Sequence, residues 1–171
     1  MALIVADTSA LVSLGTVATH EKTPLRIIFD DHQVSIPEQV VAELQQTAAY
    51  EDRSGNAAQA VLDRLPEFSV RAAKLEEDFP LDNGENAAVS LANDLDATQL
   101  LCDEFNSIAL IHASLDDTRL VTTPTLLTAL VRNGHLAPVN VEDLLSKMSD
   151  ARSWESNTYV AQARMTLQRA K

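Results

Sequence analysis

Short apolar runs alternate with longer amphipathic segments along this chain. Residues 3–6 form a continuous apolar run, and Leu11, Val12 and Leu14 then recur at helical spacing. This pattern predicts a short buried strand followed by an amphipathic helix. Asp7 stands between the two segments, at the carboxyl end of the predicted strand. The chain therefore opens with a strand, an acidic residue and a helix.

The same alternation continues to about residue 140. Further strands are predicted at residues 34–36, 100–102 and 120–122, with a brief edge strand at 68–70. Helices are predicted to begin near Pro37, Asn56, Gly84, Ile108 and Pro124. Strands that alternate with helices are typical of a parallel sheet that helices cover on both faces, joined by right-handed crossovers. The fold class is therefore α/β.

The last part of the chain has a different pattern. From about Val141 to Lys171 it is helical and predicts no further strand. No internal repeat, low-complexity tract or linker divides the sequence, and 171 residues suit one domain with a single core. We therefore predict one domain in which residues 1–140 form the α/β part and residues 141–171 form a C-terminal helical extension.

The charge balance is strongly acidic. The chain has 25 aspartates and glutamates against 13 lysines and arginines, which gives a formal net charge of −12. Such a surface repels nucleic acid and anionic membranes at low salt. It also suits a protein that stays soluble in molar salt, where the screening length falls to about 3 Å. We interpret the charge as a sign of a halophilic source, in which case it says little about the ligand.

Two features bear on the cellular compartment. The first apolar run ends at Asp7 and has no basic segment before it, so it matches neither a signal peptide nor a membrane span. Cys102 is the single cysteine, which excludes an intrachain disulfide. Its apolar neighbours Leu100 and Leu101 favour a buried strand thiol over a nucleophile. We expect a cytoplasmic protein without a membrane partner.

Four acidic residues are placed to meet at one edge of the sheet. Asp7 and Asp103 each follow a predicted strand, and open α/β sheets bind ligands beyond the carboxyl ends of their strands. Glu85 lies in the first turn of a predicted helix and shares its apolar stripe, and Glu43 lies at the margin of another such stripe. The sequence therefore predicts a cluster of four carboxylates.

Each of these carboxylates also has a purely structural explanation. Asp7 and Asp103 are of a residue type that caps helices well. Glu85 would interact favourably with the N-terminal end of a helix dipole, and Glu43 is also explained as an ordinary solvated glutamate. Like charges in one cleft, however, raise one another's pKa, and such a cluster normally persists when cations occupy it. Oxygen ligands without histidine or cysteine favour Mg²⁺ or Mn²⁺ over zinc.

Five segments, in order, resemble the motifs of PIN-domain ribonucleases, including VapC-like toxins. They are LIVADTSALVSL, VSIPEQVVAEL, DNGENAAVSLA, LLCDEFNSIAL and LVTTPTLLTALVRNGHL, and together they span about residues 2–140. The resemblance implies a three-layer α/β/α sandwich with a central, mainly parallel sheet of four to five strands. It also implies that clustered acids hold one or two Mg²⁺ or Mn²⁺ ions and hydrolyse phosphodiester bonds of RNA.

The resemblance assigns roles residue by residue. The catalytic and metal-binding acids of the family are matched here by Asp7, Glu43, Glu85 and Asp103. Contact with substrate or water is implied for Thr8, Ser9 and Glu104, of which the last stands where many members carry a further acid.

One departure from the family pattern keeps two functions open. Many members carry basic residues shortly after the later aspartate, whereas residues 105–114 here contain none apart from His112. The retained acids favour a divalent-metal-dependent endoribonuclease, the toxin of a toxin-antitoxin pair held by an antitoxin-like protein. The missing bases favour a non-catalytic PIN-like module that binds RNA or protein. A receiver-type phosphoacceptor would leave Glu43 and Glu85 unexplained.

Self-association is a further expectation. The apolar positions of the helices after Pro37 and Asn56 exceed what one sheet face can cover, so we predict a homodimer.

Overall fold

The structure is a computed structural model that describes residues 2–170. Its strands are β1 (Ala2–Ala6), β2 (His32–Pro37), β3 (Ser69–Arg71), β4 (Gln99–Leu101) and β5 (Arg119–Val121). They form one parallel sheet in the order β3-β2-β1-β4-β5. The α/β class and the parallel sheet of four to five strands are confirmed.

Helices connect and follow these strands. They are α1 (Thr8–Gly15), α2 (Pro24–Asp31), α3 (Glu38–Ala48), α4 (Arg53–Leu62), α5 (Asn83–Asp94), α6 (Ile108–Ser114), α7 (Thr123–Arg132), α8 (Pro138–Arg152) and α9 (Thr158–Ala170). A short 3-10 turn covers Leu65–Glu67. As expected, only helices follow β5 in the described part of the chain.

Two helices differ from the sequence pattern. α2 was not predicted, because its eight residues bury only Pro24, Leu25 and Ile28 and lead directly into β2. α4 begins three residues before the predicted start at Asn56, since the side chain of Asp52 accepts a hydrogen bond from the backbone of Gly55 and caps the helix there. The cap is a local signal that the apolar periodicity does not contain.

The sheet has a helical layer on each face. Alternate side chains of a strand point to opposite faces, so Val5 and Leu100 pack with α5 and α6 in one apolar cluster. Ile4, Ala6 and Leu101 face the other way and join a larger cluster that includes residues of α1 to α4 and α7 to α9. This arrangement is the three-layer α/β/α sandwich that the sequence predicts.

The helical extension is part of the larger core. Leu144, Leu145 and Met148 of α8 and Leu167 of α9 are buried in it. Within the described residues, no helix is both long and apolar enough to span a membrane.

The apolar residues of α3 and α4 are also buried in this core. Val40, Leu44, Ala58 and Val61 are all fully covered within the single chain. These two helices therefore supply no surplus apolar face, and the expected homodimer needs another surface. It stays a prediction.

The sheet order reverses beside β1. β1 pairs with β2 on one side and with β4 on the other, so the connections run away from the β1–β4 boundary in opposite directions. Asp7 follows β1 directly, and its backbone N–H donates to the carbonyl of Leu101 at the end of β4, at 3.0 Å. Ligands of open α/β sheets bind at such a boundary. The fold thus places Asp7 and Asp103 at the edge where a site is expected.

Candidate functional site

Asp7 is held by three hydrogen bonds. Its Oδ1 accepts from Ser9 Oγ at 2.7 Å and from the backbone N–H of Ala10 at 3.1 Å, and its Oδ2 accepts from Cys102 Sγ at 3.2 Å. The bond to Ala10 makes Asp7 the N-cap of α1. The structural explanation for Asp7 is therefore present in the molecule.

The burial of Asp7 goes beyond what a helix cap needs. Its side chain is covered on all sides, and only 4% of the residue is exposed. Burial raises the pKa of Asp7 to about 7, although the bonds from Ser9, Ala10 and Cys102 lower it, and the charge of Asp103 raises it further. A carboxyl group that titrates near neutral pH at the reversal point of a parallel sheet is a candidate functional group.

Asp103 is anchored to the start of α7. Its Oδ1 accepts from the backbone N–H of Thr123 at 2.7 Å, and its Oδ2 accepts from Thr123 Oγ1 at 2.6 Å. Asp103 does not cap the helix that follows it, because α6 begins only at Ile108 and has no side-chain cap, but it accepts from the first backbone N–H of α7 and so keeps a structural explanation. Burial raises the pKa of Asp103, whereas the bonds from Thr123 and the charge of Arg152 lower it.

Ser9 connects the two buried aspartates. Its hydroxyl donates to Asp7 Oδ1 and accepts from the backbone N–H of Asp103 at 2.9 Å. The single hydroxyl proton of Ser9 is committed to Asp7, so the side chain fixes the relative positions of the two acids. This contact is a positioning role in addition to the substrate or water contact that the sequence resemblance implies.

Glu43 reaches the same region from α3. Its Oε1 accepts a hydrogen bond from Thr8 Oγ1 at 2.9 Å, so Thr8 orients this carboxyl group. The carboxyl group also lies over Gly84, where any Cβ would collide with Glu43 Oε1. Burial raises the pKa of Glu43, the bond from Thr8 lowers it, and the charges of Asp82 and Glu85 raise it.

Glu85 forms a capping box with Asp82 at the start of α5. Asp82 Oδ1 accepts from the backbone N–H of Glu85 at 2.8 Å, and Glu85 Oε2 accepts from the backbone N–H of Asp82 at 3.4 Å. A purely structural role at the start of the helix therefore accounts for the backbone contacts of Glu85. Partial burial raises the pKa of Glu85, and the charges of Asp82 and Glu104 raise it too.

Glu104 belongs to the same electrostatic group. Burial raises its pKa, the charges of Asp82, Glu43 and Asp103 raise it as well, and the positive charge of Arg152 lowers it. Three glutamates from three separate parts of the chain therefore act on one another.

A family comparison agrees with this arrangement. The model of the family DUF3368, described as a PIN domain, matches residues 3–169 of this chain. The chain belongs to the PIN-domain family. PIN domains are typically metal-dependent nucleases.

Two solved structures are similar to this chain at low sequence identity. A PilT N-terminus domain protein from the hyperthermophilic archaeon Sulfolobus solfataricus P2 is 17% identical, with 85% of this chain and 92% of that chain covered and a TM-score of 0.46. VapBC2 from Rickettsia felis, bound to a DNA fragment from their promoter, is 12% identical, with 70% and 98% covered and a TM-score of 0.48. No curated protein matches this chain.

The donor atoms of this PIN domain fit a hard divalent cation by their chemistry. They are carboxylate oxygens whose pKa values are raised, and such repulsion is relieved when a cation binds. No histidine stands among them, and burial raises the pKa of the neighbouring Cys102 thiol, which disfavours a zinc site. Within residues 2–170, no three acidic, histidine or cysteine side chains are placed to hold one metal ion together.

Sequence reasoning missed three members of this site. Asp82 carries a local signal, because an acidic residue three positions before Glu85 is a capping-box pattern. Thr123 is the second residue after β5, and that placement puts it at the same sheet edge as Asp7, which directly follows β1. Arg152 lies far along the chain from Asp103, and no sequence spacing connects the two.

A groove of the molecule lies away from these acids. It encloses about 390 Å³ between α1, α4 and α8, where Gly15, Asn56 and Ala151 are among its lining residues. None of the predicted acids borders it. The candidate site is therefore at the carboxyl groups on the sheet edge, and not in this groove.

Proposed function

We propose that this PIN-domain protein is a divalent-metal-dependent endoribonuclease that hydrolyses phosphodiester bonds of RNA. The observation that supports this function most directly is the pair of buried aspartates, Asp7 and Asp103, joined through Ser9 at the reversal point of the sheet. Burying two acids whose pKa values are raised is unfavourable for folding. A bound cation would offset this cost.

In this mechanism Asp7, Glu43, Glu85 and Asp103 would hold the metal. A bound Mg²⁺ or Mn²⁺ ion would supply Lewis-acid chemistry that activates water and neutralises charge on the phosphate. Ser9 and Thr123 keep Asp7 and Asp103 in fixed orientations through the hydrogen bonds described above.

Two further residues act at the open side of the site. Thr8 orients Glu43 through its hydroxyl, and Glu104 is half-buried beside the other glutamates, where it contacts substrate or water. The covered faces of Asp7 and Asp103 exclude bulk water, which strengthens the interaction of these groups with a cation.

The cellular role that we propose follows from the resemblance of the motifs to VapC-like toxins. The nuclease would act in the cytoplasm as the toxin of a toxin-antitoxin pair, an antitoxin-like protein would inhibit it, and it would form a homodimer. Residues 1–140 would form the nuclease part, with residues 141–171 as its helical extension. Co-expression with the product of a neighbouring gene that restores growth would support the toxin role.

A second function is a non-catalytic PIN-like module that binds RNA or protein. It is favoured by the absence, within the described residues, of an assembled group of three metal-ligating side chains. It is also favoured by the lack of lysine and arginine in residues 105–114.

One experiment separates the two functions. The purified protein is incubated with mixed RNAs at low and high salt, in the presence of Mg²⁺, Mn²⁺ or a chelator. Asp7→Asn removes a charge from the site, and Asp117→Asn removes the same charge from an exposed loop as the matched control. Metal-dependent cleavage by the wild type and by Asp117→Asn, but not by Asp7→Asn, supports the nuclease. Binding without cleavage supports the module, and neither binding nor cleavage of RNA contradicts the nuclease.

A further inference from the structure

The end of α8 lies against the segment that carries Asp103. The ring of Trp154 packs edge-on against the ring of Phe105, with 5.6 Å between their centroids, and the ring of Tyr159 lies 5.4 Å from Phe105 on centroids. Trp154 is buried. These aromatic contacts fix residues 152–154 beside residues 103–105.

Arg152 is thereby held near the acids of the site. Trp154, two residues after Arg152, contacts Phe105, two residues after Asp103, and the positive charge of Arg152 acts on the carboxyl groups of both Asp103 and Glu104. An arginine in the last turn of a helix also stabilises the helix dipole. The dipole accounts for a positive charge at this position, but it does not require that the charge lie beside two buried or half-buried acids.

One donor of Arg152 has no acceptor. Its Nε is buried, and no hydrogen-bond partner for it exists among the described residues. Leaving a buried N–H group without a partner is unfavourable, so a ligand that supplies an acceptor is favoured. The planar guanidinium group matches two oxygens of a phosphate better than a lysine does.

We propose that Arg152 binds a phosphate group of the nucleic-acid substrate at the carboxylate site. The inference rests on the proposed nuclease function. Arg152 would supply the cationic group that residues 105–114 lack, from the end of helix α8, 49 positions after Asp103. It would act next to Asp103 and Glu104, where its positive charge would offset the repulsion between these acids and the phosphate.

The test measures RNA affinity as a function of salt. A fluorescent single-stranded RNA is titrated with protein that carries Asp7→Asn, so that the RNA stays intact, and the binding constant is followed by anisotropy over a salt series. Arg152→Gln and Arg152→Lys are each added to this background. Arg164→Gln is the matched control, because Arg164 is an exposed arginine on the neighbouring helix α9.

We expect Arg152→Gln to weaken binding about tenfold at low salt and to reduce the slope of log K against log salt by about 0.7, the value for one lost phosphate contact on a single strand. Arg152→Lys should keep the slope and bind more weakly than the parent. Arg164→Gln should change neither quantity. A purely structural role of Arg152 would leave the salt slope unchanged.

The contradicting outcomes are distinct. Equal slopes for the parent and Arg152→Gln, with RNA still bound, overturn this inference and leave the nuclease function intact. Melting curves check folding, and Arg152→Met serves as a second variant that keeps the apolar stem. If neither Arg152→Gln nor Arg152→Met folds, the role of Arg152 is structural and the inference is wrong. If the parent binds no RNA and the wild type cleaves none, the proposed function fails and this inference fails with it.

Discussion

The thiol of Cys102 donates a hydrogen bond to Oδ2 of Asp7, with 3.2 Å between the sulfur and the oxygen. Cys102 is almost fully buried, and burial raises the pKa of its thiol, so it is protonated at neutral pH and unsuited to act as a nucleophile. The expectation that Cys102 is a buried thiol at the end of a strand, here β4, is confirmed. The group instead helps to set the pKa of Asp7.

Cys102→Ala should raise the pKa of Asp7 further. Burial already raises it to about 7, and the bond from Cys102 is one of the interactions that lower it. Because a protonated carboxyl group must lose its proton to bind a cation, the affinity for Mn²⁺ should increase with pH over a range that is shifted upwards in this variant. Mn²⁺ titrations between pH 5 and 9 measure this shift. Cys102→Ser keeps a donor and is the control, and coincident profiles for the wild type and Cys102→Ala would contradict the prediction.

The metal-free protein should lose stability as pH increases from about 4 to about 7. In this range Asp7 is ionised in the unfolded chain, whose carboxyl group has the ordinary pKa of 3.8, but is protonated in the folded protein. The folded state therefore binds one more proton, and the free energy of unfolding falls by up to about 1.4 kcal/mol per pH unit from this group.

Asp7→Asn replaces the titrating carboxyl group with an amide, so it isolates the contribution of this group to the pH dependence of the free energy of unfolding. Urea unfolding in chelator at several pH values should give a shallower pH dependence for Asp7→Asn than for the wild type, and greater stability of the variant above pH 7. The exposed variant Asp117→Asn should follow the wild type. Parallel curves for the wild type and Asp7→Asn would show that the carboxyl group of Asp7 is ionised normally in the folded protein.

Local patterns were sufficient to predict much of this fold and of its site. Four of the five strands, all but β3, contain a short apolar or β-branched run, and Asp7 directly follows such a run, so its place at the carboxyl edge follows from the parallel topology. The spacing of Glu85 after Asp82-Asn83-Gly84 likewise marks the start of α5. These features depend on residues that are close in sequence.

The remaining features depend on contacts between distant segments. The bond from Thr123 to Asp103 exists because β5 lies beside β4, and pairing of strands is not visible in either segment alone. The contact of Glu43 with Gly84 requires α3 and α5 to approach closely. Helix α2 was not predicted, although its buried residues Leu25 and Ile28 stand at helical spacing.

Gly84→Ala should displace Glu43 and reduce catalysis with little change in stability. A Cβ at this position would collide with the carboxyl group of Glu43, which lies at the end of a flexible side chain and can move away. Alanine also has a higher helix propensity than glycine, by about 1 kcal/mol, and this gain offsets part of the strain. Mn²⁺ affinity and RNA cleavage should both fall at least tenfold, while the melting temperature in chelator stays within a few degrees. Glu43→Gln should give a similar loss, and full activity of Gly84→Ala would place Glu43 outside the site.

Asp103→Asn should change stability in opposite directions with and without metal. Asparagine keeps the shape of the side chain, its carbonyl oxygen still accepts from the backbone of Thr123, and the hydroxyl of Thr123 can accept from the new amide. In chelator the variant should be as stable as the wild type or up to about 1 kcal/mol more stable, because a buried charge near Asp7 is removed. With saturating Mn²⁺ the wild type gains binding free energy that the variant largely loses, so the order should reverse.

Melting curves of both proteins with chelator and with Mn²⁺, at one salt concentration, measure these differences, and Asp117→Asn is the control. Equal metal-induced shifts in the wild type and Asp103→Asn would show that Asp103 is not a metal ligand and that its contact with the start of α7 is structural.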